Sequence, residues 1–404
     1  MKRANRVLMF GWEFPPKNTG GLGTACFGLT KGLTKNKVGI TLVLPYDVDT
    51  PQSDLIKVVS TGGIKVRMVR SMITPYMDYK DYSLHRSKGK SGHIYGRNLF
   101  EEVNRYADVA AEIAREETYD LIHCHDWMTF IAGARAKEIS GKPMIVHVHS
   151  TEFDRTGGNG VNQYVYDIER HGMEIADYII AVSNYTKNKI VNHYGISSDK
   201  VHVVHNAVEQ DTIAEDYFNS SLKKNNKIVL FLGRITLQKG PDYFVYAARK
   251  ALEIMPNILF VVAGNGDMER YVIEKSAEFG IADRFIFTGF LSGYDVDRIY
   301  RMADLYVMPS VSEPFGITAL EAMKNHVPVL MSRQSGVSEV VSHCLKIDFW
   351  DINQIVNKMI SVLQNNALKE CLEENALGEV RKFSWDKPAR QCIEIYERAI
   401  NCYN

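Results

Sequence analysis

The amino-acid sequence predicts an α/β protein with two Rossmann-like domains, each built around a largely parallel sheet. Short apolar runs alternate with longer amphipathic stretches, which is the pattern of strand, helix and strand. The alternation pauses in a polar stretch at 211–226 and then begins again. At 404 residues the chain is also too long for one ordinary core. We therefore expect two facing domains with a central cleft at the carboxyl ends of their parallel sheets.

The first half of the chain supplies the elements of the N-terminal domain. Its strand candidates are apolar runs bounded by glycine, proline or polar clusters, at 7–10, 39–44, 64–69, 121–123, 144–148 and 178–182. Its helix candidates have apolar residues at helical spacing, at 23–35, 97–116, 128–139 and 161–176. The stretch 50–92 is rich in tyrosine and charge, and we expect an insertion or a mobile loop there.

The second half of the chain repeats this alternation of strand and helix candidates. Strands are expected at 228–232, 258–263, 285–288, 305–308 and 327–331, with helices at 241–253 and 268–279. We place an N-terminal domain at 1–208 and a C-terminal domain at 209–385. A final helix within 386–404 has an apolar stripe, and it either closes the second domain or crosses back onto the first.

Composition excludes several classes of protein. Lysine plus arginine equal aspartate plus glutamate at 48 each, so no basic excess indicates a nucleic-acid partner. No segment reaches the roughly 18 apolar residues that a membrane span needs. The six cysteines form no CxxC pair, which favours reduced thiols over a disulfide framework or a zinc site. We expect a cytoplasmic protein with no integral membrane segment.

The stretch 309–323 combines a loop carboxylate with a helix start. Glu313 lies in the loop, Glu321 lies about one turn inside the helix, and Pro314 and Gly316 force a turn between them. The exposed N–H groups and positive dipole of such a helix start suit a diphosphate, and Glu321 could accept hydrogen bonds from a sugar hydroxyl. The alternative is that Glu321 is an ordinary first-turn glutamate and Glu313 a solvated loop charge.

In each domain, a segment that contains glycines follows the first strand. Arg234 and Lys239 lie between Gly233 and Gly240, where a planar guanidinium and a mobile ammonium could grip a diphosphate. Gly20 and Gly21 precede the first helix and could form a phosphate or sugar cradle, or a simple turn. The match of this segment to the dinucleotide pattern is poor because the third glycine would fall at Cys26.

Histidines end two strands of the first domain, as His123 and His125 and as His147 and His149. The first pair could share one face of its strand, but no glutamate or cysteine spacing completes a metal set. Sugar-hydroxyl recognition is the expected role, with no metal. Asp-x-Asp triplets at 47–49 and 295–297 are read as chance occurrences.

These residues together resemble a known family. Glu313 and Glu321 match an E-x7-E motif, residues 233–240 match G-R-x-T-x-Q-K-G, residues 125–127 match H-D-W, and residues 149–153 resemble a synthase histidine segment. The chain is similar over nearly its whole length to retaining glycosyltransferases of the two-Rossmann-domain (GT-B) type, family 4, and within them to glycogen and starch synthases. One departure concerns the synthase K-x-G-G-L-G-D segment, where Asn18 and Thr24 replace lysine and aspartate and Lys17 is one residue too early.

The resemblance implies glucosyl transfer from ADP- or UDP-glucose to an α-glucan, with no cofactor and no obligatory metal. The implied catalytic residues are His149, Arg234, Lys239 and Glu313. The implied donor-binding residues are Gly20, Gly21, Asp126, Gly316, Ile317, Thr318 and Glu321. Alternatives are a family 4 enzyme for a cell-surface polysaccharide or lipid-linked acceptor, a non-catalytic protein that binds sugar nucleotides, or a GT-B-like sugar epimerase.

Overall fold

The computed structural model describes residues 6–15, 20–46, 56–61, 64–71, 83, 98–210 and 221–403. The chain forms two compact units. The N-terminal unit comprises Met1–Glu152, Val161–Asn206 and Trp385–Asn404, and the C-terminal unit comprises Phe153–Gly160 and Ala207–Ser384.

The strands and helices are numbered along the whole chain. The strands are β1 (Arg6–Phe10), β2 (Gly39–Tyr46), β3 (Ile56–Thr61), β4 (Ile64–Arg70), β5 (Leu121–His125), β6 (Met144–Val148), β7 (Tyr178–Ala181), β8 (Val201–Val203), β9 (Lys227–Leu232), β10 (Ile258–Ala263), β11 (Phe285–Gly289), β12 (Leu305–Met308), β13 (Val329–Ser332) and β14 (Leu345–Ile347). The helices are α1 (Gly21–Lys35), α2 (Leu99–Glu116), α3 (Trp127–Ser140), α4 (Glu152–Arg155), α5 (Gln163–Ile175), α6 (Asn184–Tyr194), α7 (Pro241–Ile254), α8 (Glu269–Glu278), α9 (Tyr294–Met302), α10 (Ile317–Lys324), α11 (Ile352–Gln364), α12 (Asn366–Val380) and α13 (Asp386–Cys402). None of these helices is long and apolar enough to cross a membrane.

The sheet of the N-terminal unit has the strand order β3-β4-β2-β1-β5-β6-β7-β8. Its strands pair in parallel except β3, which is antiparallel to β4. The sequence predicted a strand at 64–69 but none at 56–61, so β3, which pairs with β4 from Ile56 opposite Val69 to Thr61 opposite Ile64, is a correction. Most of 50–92 lies outside the described residues. The strand order reverses direction between β1 and β5, and ligands of such sheets bind beyond the carboxyl ends of the strands at this switch point.

The sheet of the C-terminal unit is entirely parallel, in the order β11-β10-β9-β12-β13-β14. Its switch point lies between β9 and β12. A cluster of aromatic rings that includes Phe231, Phe244, Phe260 and Phe285 fills the core on one face of this sheet. Two helices of this unit, α11 and α12, were not predicted from the sequence, and α11 buries an apolar stripe against the same core.

The last helix, α13, belongs to the N-terminal unit and packs on α1. Close packing depends on two glycines of α1, because a Cβ at Gly28 would lie 2.1 Å from the Trp385 ring and one at Gly32 would lie 2.7 Å from the Trp385 carbonyl oxygen. Tyr396 of α13 also reaches the sheet, where its hydroxyl lies 2.6 Å from Nδ1 of His123. The C-terminal residues therefore help to complete the N-terminal core.

The short segment Phe153–Gly160 is assigned to the C-terminal unit, whereas we had placed it in the N-terminal domain. The Ser312 hydroxyl donates a 2.5 Å hydrogen bond to the Asp154 carboxylate, and both side chains are buried. A Cβ at Gly157 would lie 3.2 Å from the Leu237 side chain. Such contacts between residues distant in sequence cannot be read from local periodicity.

Candidate functional site

The switch point of the C-terminal unit brings two predicted segments together. Residues 233–240 follow β9 and residues 309–316 follow β12, and these two strands pair in parallel with Tyr306 opposite Leu230. Parallel strands that are neighbours end at the same edge of a sheet. The two segments therefore lie side by side, although about 70 residues separate them along the chain.

An ion pair joins these two segments. Lys239 Nζ lies 2.5 Å from Glu313 Oε2, with the lysine side chain 21% exposed and the glutamate side chain 7% exposed. The Ser310 hydroxyl donates to the same oxygen at 3.4 Å. The alternative that Glu313 is a solvated loop charge is wrong, because its carboxylate is buried and paired with a cation.

Backbone contacts fix the spacing of the two segments. The N–H groups of Val311 and Ser312 donate to the Gln238 carbonyl oxygen at 3.0 and 3.3 Å. Gly240 has φ +65°, and a Cβ there would lie 2.2 Å from the Pro309 carbonyl oxygen. Only glycine permits this close approach of two backbones. The glycine that ends 233–240 is thus a packing requirement of the site.

Arg234 lies at the same edge of the sheet. Its Nη2 donates to Oε1 of the buried Gln238 at 3.0 Å. The guanidinium, which has five donors, is anchored here through one of its nitrogens to an uncharged acceptor. The two predicted cations, Arg234 and Lys239, therefore both lie in the segment 233–240 that follows β9, called below the turn beyond β9.

The start of α10 lies directly after this pair in the second segment. Gly316 precedes the helix with φ +105°, and as a glycine it has no side chain that could cap the first turn. The first N–H groups of a helix have no partner within the helix, and they carry the positive end of its dipole. Gly316, Ile317 and Thr318 thus present backbone donors where the sequence predicted a diphosphate.

Glu321 occupies a different environment from Glu313. It is the fifth residue of α10, so the alternative that it is a first-turn glutamate is wrong. The Tyr300 hydroxyl donates to Glu321 Oε2 at 3.1 Å. Burial raises the pKa of the Glu321 carboxyl above its usual value, and the Asp297 carboxylate also raises it, whereas the Tyr300 hydrogen bond opposes the shift. No pattern in the sequence indicated Tyr300 as its partner.

The second Asp-x-Asp triplet lies on α9, where Asp297 accepts a hydrogen bond from Asn325 at 3.1 Å and Asp295 is exposed. This position on a helix agrees with its interpretation as a chance occurrence. The first triplet, at 47–49, lies outside the described residues.

In the N-terminal unit, the start of α1 is occupied by a carboxylate that the sequence analysis did not single out. Glu13 accepts hydrogen bonds from the N–H of Gly20 at 2.8 Å and from the N–H of Gly23 at 3.2 Å. An anion that bound at the Gly20 amide would have to displace Glu13. The sequence shows only that Glu13 precedes Gly20 by seven residues, and its burial is known from the structure. Lys17 and Asn18 lie outside the described residues.

Asp126 lies at the switch point of the N-terminal sheet and positions the loop after β6. Its Oδ1 accepts hydrogen bonds from the backbone N–H groups of His149 at 2.7 Å and Ser150 at 3.3 Å. Asp126 has φ +58°, an uncommon conformation for a residue other than glycine. The structure thus joins the predicted Asp126 and His149, with the aspartate holding the backbone of the histidine.

His149 is one of four stacked imidazoles. His125 Nδ1 lies 2.9 Å from His149 Nε2, and the ring centroids of His147 and His149 are 4.3 Å apart. Desolvation lowers the pKa of His149 well below its usual value, and the neighbouring imidazoles of His147 and His125 add to this effect. At neutral pH His149 is therefore uncharged, with the donor and acceptor that suit a sugar hydroxyl.

The chain matches two families along most of its length. Residues 19–212 match Glycosyltransferase Family 4, and residues 213–378 match Glycosyl transferases group 1. An uncharacterized glycosyltransferase of Methanocaldococcus jannaschii is 31% identical over 412 residues, which cover 98% of each chain. The chain is a family 4 glycosyltransferase. The family predicted from the motifs of the sequence is thereby confirmed.

This family 4 glycosyltransferase is also related to glycogen synthases and shares the GT-B fold. A glycogen synthase of Mycobacterium tuberculosis is 24% identical over 344 residues, covering 83% of this chain and 80% of that one. Sucrose-phosphate synthase of Thermosynechococcus elongatus has a TM-score of 0.80 at 19% identity, with 98% of this chain and 100% of that chain covered. The catalytic domain of starch synthase IV of Arabidopsis thaliana, bound to ADP and acarbose, has a TM-score of 0.73 at 17% identity, with 99% of this chain and 100% of that chain covered. The predicted fold class is confirmed.

Proposed function

We propose that this glycosyltransferase moves a glucosyl unit, with retention of configuration, from ADP- or UDP-glucose to an α-glucan. The observation that carries the proposal is the Lys239–Glu313 pair at the C-terminal switch point, directly before the start of α10 at Gly316. The names of the related glycogen synthase and of the similar starch synthase support a glucan acceptor. That starch synthase is bound to ADP, which supports a nucleotide-linked donor.

The diphosphate of the donor binds at the turn beyond β9. Arg234 and Lys239 neutralise the charge that grows on the departing phosphate, and the amides of Gly316, Ile317 and Thr318 donate hydrogen bonds to it. Such preorganised donors stabilise the transition state more than the ground state, because the charge is largest there. Removal of one donor of this kind commonly costs about 10²–10³-fold in rate.

The two glutamates bind different parts of the donor. Glu313, whose carboxylate is held by Lys239 and Ser310, accepts hydrogen bonds from hydroxyls of the transferred sugar. Glu321 accepts hydrogen bonds from the ribose. His149, neutral and held through its backbone by Asp126, bonds a sugar hydroxyl. Gly20 and Gly21 contribute to donor binding once the Glu13 carboxylate is displaced from α1.

Retention follows from attack on the face from which the diphosphate leaves. The bond between the anomeric carbon and the phosphate oxygen breaks, and the acceptor oxygen bonds to that carbon. The departing phosphate oxygen takes the proton of the acceptor hydroxyl, so no protein base is needed. Nucleoside diphosphate is a good leaving group once its charge is neutralised, unlike the alcohol that glycosidases must protonate. The scheme uses the two cations and requires neither a cofactor nor a divalent ion.

A second candidate has the same chemistry with another acceptor, such as a cell-surface polysaccharide or a lipid-linked sugar. Thr24 favours this second candidate. The K-x-G-G-L-G-D segment of glycogen and starch synthases ends in aspartate, and this chain has Thr24 at that position. Thr24 in this chain lies in the first turn of α1, with its hydroxyl 3.5 Å from the Gly20 carbonyl oxygen.

Incubation of the protein with labelled ADP-glucose, UDP-glucose and GDP-mannose, with glycogen as acceptor, tests the proposal. We expect label to enter glycogen from one of the two glucose donors. Glu313→Ala should remove transfer while leaving nucleotide binding nearly intact. Donor hydrolysis without transfer to glycogen favours the second candidate, and the absence of both transfer and hydrolysis contradicts the enzymatic proposal.

A further inference from the structure

Three fully buried histidines meet on two adjacent strands of the N-terminal sheet. His123 and His125 lie two residues apart on β5 and share one face, and His147 pairs with His125 across the register of β5 and β6. The ring centroids of His123 and His125 are 4.4 Å apart, and each lies 5.3–5.4 Å from the ring centroid of His147. Sequence spacing alone completes no such set, because the third histidine comes from a neighbouring strand.

Some ring nitrogens of these histidines are hydrogen-bonded, and the others have no hydrogen-bond partner among the described residues. Nδ1 of His123 bonds the Tyr396 hydroxyl at 2.6 Å, and Nδ1 of His125 bonds His149 at 2.9 Å. Among the described residues, Nε2 of His123 and Nε2 of His125 have no hydrogen-bond partner, and neither ring nitrogen of His147 has one. Buried polar atoms are almost always satisfied, so a cluster of orphaned nitrogens requires an explanation.

The pattern is that of a metal site with its supporting hydrogen bonds in place. Histidines that bind metals commonly hold one ring nitrogen in a hydrogen bond, which orients the other toward the ion. His123 and His125 are held in this way. Each of the three histidines offers one ring nitrogen, and these three nitrogens all lie within 4.8 Å of one another.

We propose that His123, His125 and His147 bind a divalent transition-metal ion of the Zn²⁺ type. Three neutral imidazoles suit Zn²⁺ and its neighbours, whereas Mg²⁺ and Ca²⁺ take oxygen ligands. Bonds of about 2.0–2.1 Å to a tetrahedral ion bring ligand nitrogens to roughly 3.3 Å, so the rings turn about their side-chain bonds to close on the ion. A water molecule takes the remaining position.

The role of this ion is structural. Its ligands lie in the interior of the unit, and it joins β5 to β6. Through the Tyr396 hydroxyl it also orders α13 against the sheet. The ion therefore stabilises the contact between the C-terminal helix and the N-terminal core.

A second set of possible ligands overlaps the first. Cys26, His125 and His149 also bring ligand atoms within 4.8 Å of one another. The hydrogen bond between His125 and His149 already uses one nitrogen of each ring, and His149 is proposed above to bind sugar. Cys26→Ala is therefore the matched control, because it removes a buried ligand candidate and leaves the three histidines unchanged.

The test uses the full chain, without an affinity tag, after treatment with a chelator and dialysis. Zn²⁺ content is measured by mass spectrometry, thermal stability is measured with and without Zn²⁺, and Co²⁺ binding is followed by visible absorption. We expect about one ion per chain with Co²⁺ bands of a tetrahedral site. At a free Zn²⁺ concentration of about 100 times Kd, the melting temperature should rise by roughly 5–10 °C.

Variants decide which residues hold the ion. His147→Phe and His147→Gln should each lose the Zn²⁺-dependent rise, whereas Cys26→Ala should keep it. Tyr396→Phe should bind the ion about 10–100-fold more weakly through loss of its supporting hydrogen bond. The proposal is overturned if the wild-type chain shows no stoichiometric Zn²⁺ and no rise. It is also overturned if both His147 variants keep the rise, or if Cys26→Ala loses it.

Discussion

Lys239 Nζ lies 2.5 Å from Glu313 Oε2, and this contact joins the loops that follow β9 and β12. The cation proposed for the diphosphate and the carboxylate proposed for the sugar thus neutralise each other. Each group therefore sets how strongly the other can interact with the donor, because a charge paired at this distance attracts a third ion less.

Replacement of Glu313 by glutamine should separate nucleotide binding from transfer. Loss of the carboxylate leaves the full charge of Lys239 available to a diphosphate, so the affinity for UDP or ADP should stay equal or rise by up to about tenfold. Transfer should fall by about 10²-fold or more. Calorimetric titration and a transfer assay measure the two quantities.

The control for this variant is Glu278→Gln, which disrupts an exposed pair with Lys275 at 2.8 Å on α8. Exposed pairs contribute little, so both quantities should be unchanged in the control. An equal loss of binding and transfer in Glu313→Gln would show that this carboxylate supports the site as a whole and has no separate role in transfer.

The position of the C-terminal site was predictable, because the carboxyl ends of parallel strands lie along one edge of their sheet. The apolar runs at 228–232 and 305–308 were clear, so the segments after them could be placed at that edge. The partners of individual side chains were not predictable. Tyr300 reaches Glu321 from α9, and the Glu13 carboxylate accepts from the Gly20 N–H, through geometry that the residue pattern does not encode.

The limits of the fold prediction have similar causes. The apolar alternation located most strands and the early helices, and bounds differed mainly by a few residues. The antiparallel β3 was missed because it lies in the stretch 50–92, which we interpreted as an insertion or a mobile loop. The metal set of His123, His125 and His147 depends on the register between β5 and β6, which a single sequence does not specify.

Donor affinity should depend on pH through Glu321. Burial raises the pKa of this carboxyl above the ordinary value of 4.5, so it takes up a proton while exposed glutamates are still ionised. The protonated form accepts fewer hydrogen bonds from ribose. Affinity for the nucleoside diphosphate should therefore be full at neutral pH and should fall, as pH decreases, with a midpoint above 4.5.

Tyr300→Phe tests the direction of this effect. Its hydroxyl stabilises the Glu321 carboxylate, so the variant should move the midpoint of affinity to higher pH. Tyr306→Phe is the matched control, because the Tyr306 hydroxyl donates to the Leu232 carbonyl oxygen and to Thr318. A midpoint that is unchanged or lower in Tyr300→Phe, from titrations across pH, would contradict the assignment of Glu321.

Gly316→Ala should weaken nucleotide binding. An alanine at φ +105° is strained, and its Cβ would lie 3.0 Å from the Val337 side chain and 3.1 Å from Glu313 Cγ. The start of α10 and Glu313 should both shift, and we expect the Kd for nucleoside diphosphate to rise about tenfold or more. Gly280→Ala, with φ +69° and no atom within 4 Å of the new Cβ, controls for strain alone. Equal Kd values for wild type and Gly316→Ala would contradict the claim that the start of α10 binds the nucleoside diphosphate.

Gly28→Ala should destabilise the N-terminal unit. The new Cβ would lie 2.1 Å from the Trp385 ring, so α1 and α13 must move apart. Overpacking of this kind costs about 1–3 kcal/mol, which a urea titration followed by circular dichroism detects as a lower midpoint. Gly378→Ala in α12, with open space around its Cβ, should leave stability equal or raise it. A midpoint for Gly28→Ala equal to that of wild type would contradict the packing of α13 on α1.

The most direct test of the account is calorimetric titration of UDP-glucose and ADP-glucose into the wild-type chain and into the Arg234→Ala/Lys239→Ala double variant. Wild type should bind at least one of the two donors. The double variant should bind that donor about 100-fold more weakly or worse, because two charge-assisted contacts to the diphosphate are lost. Equal affinity of the two proteins, or no binding of either donor by wild type, would contradict the claim that the diphosphate binds at the turn beyond β9.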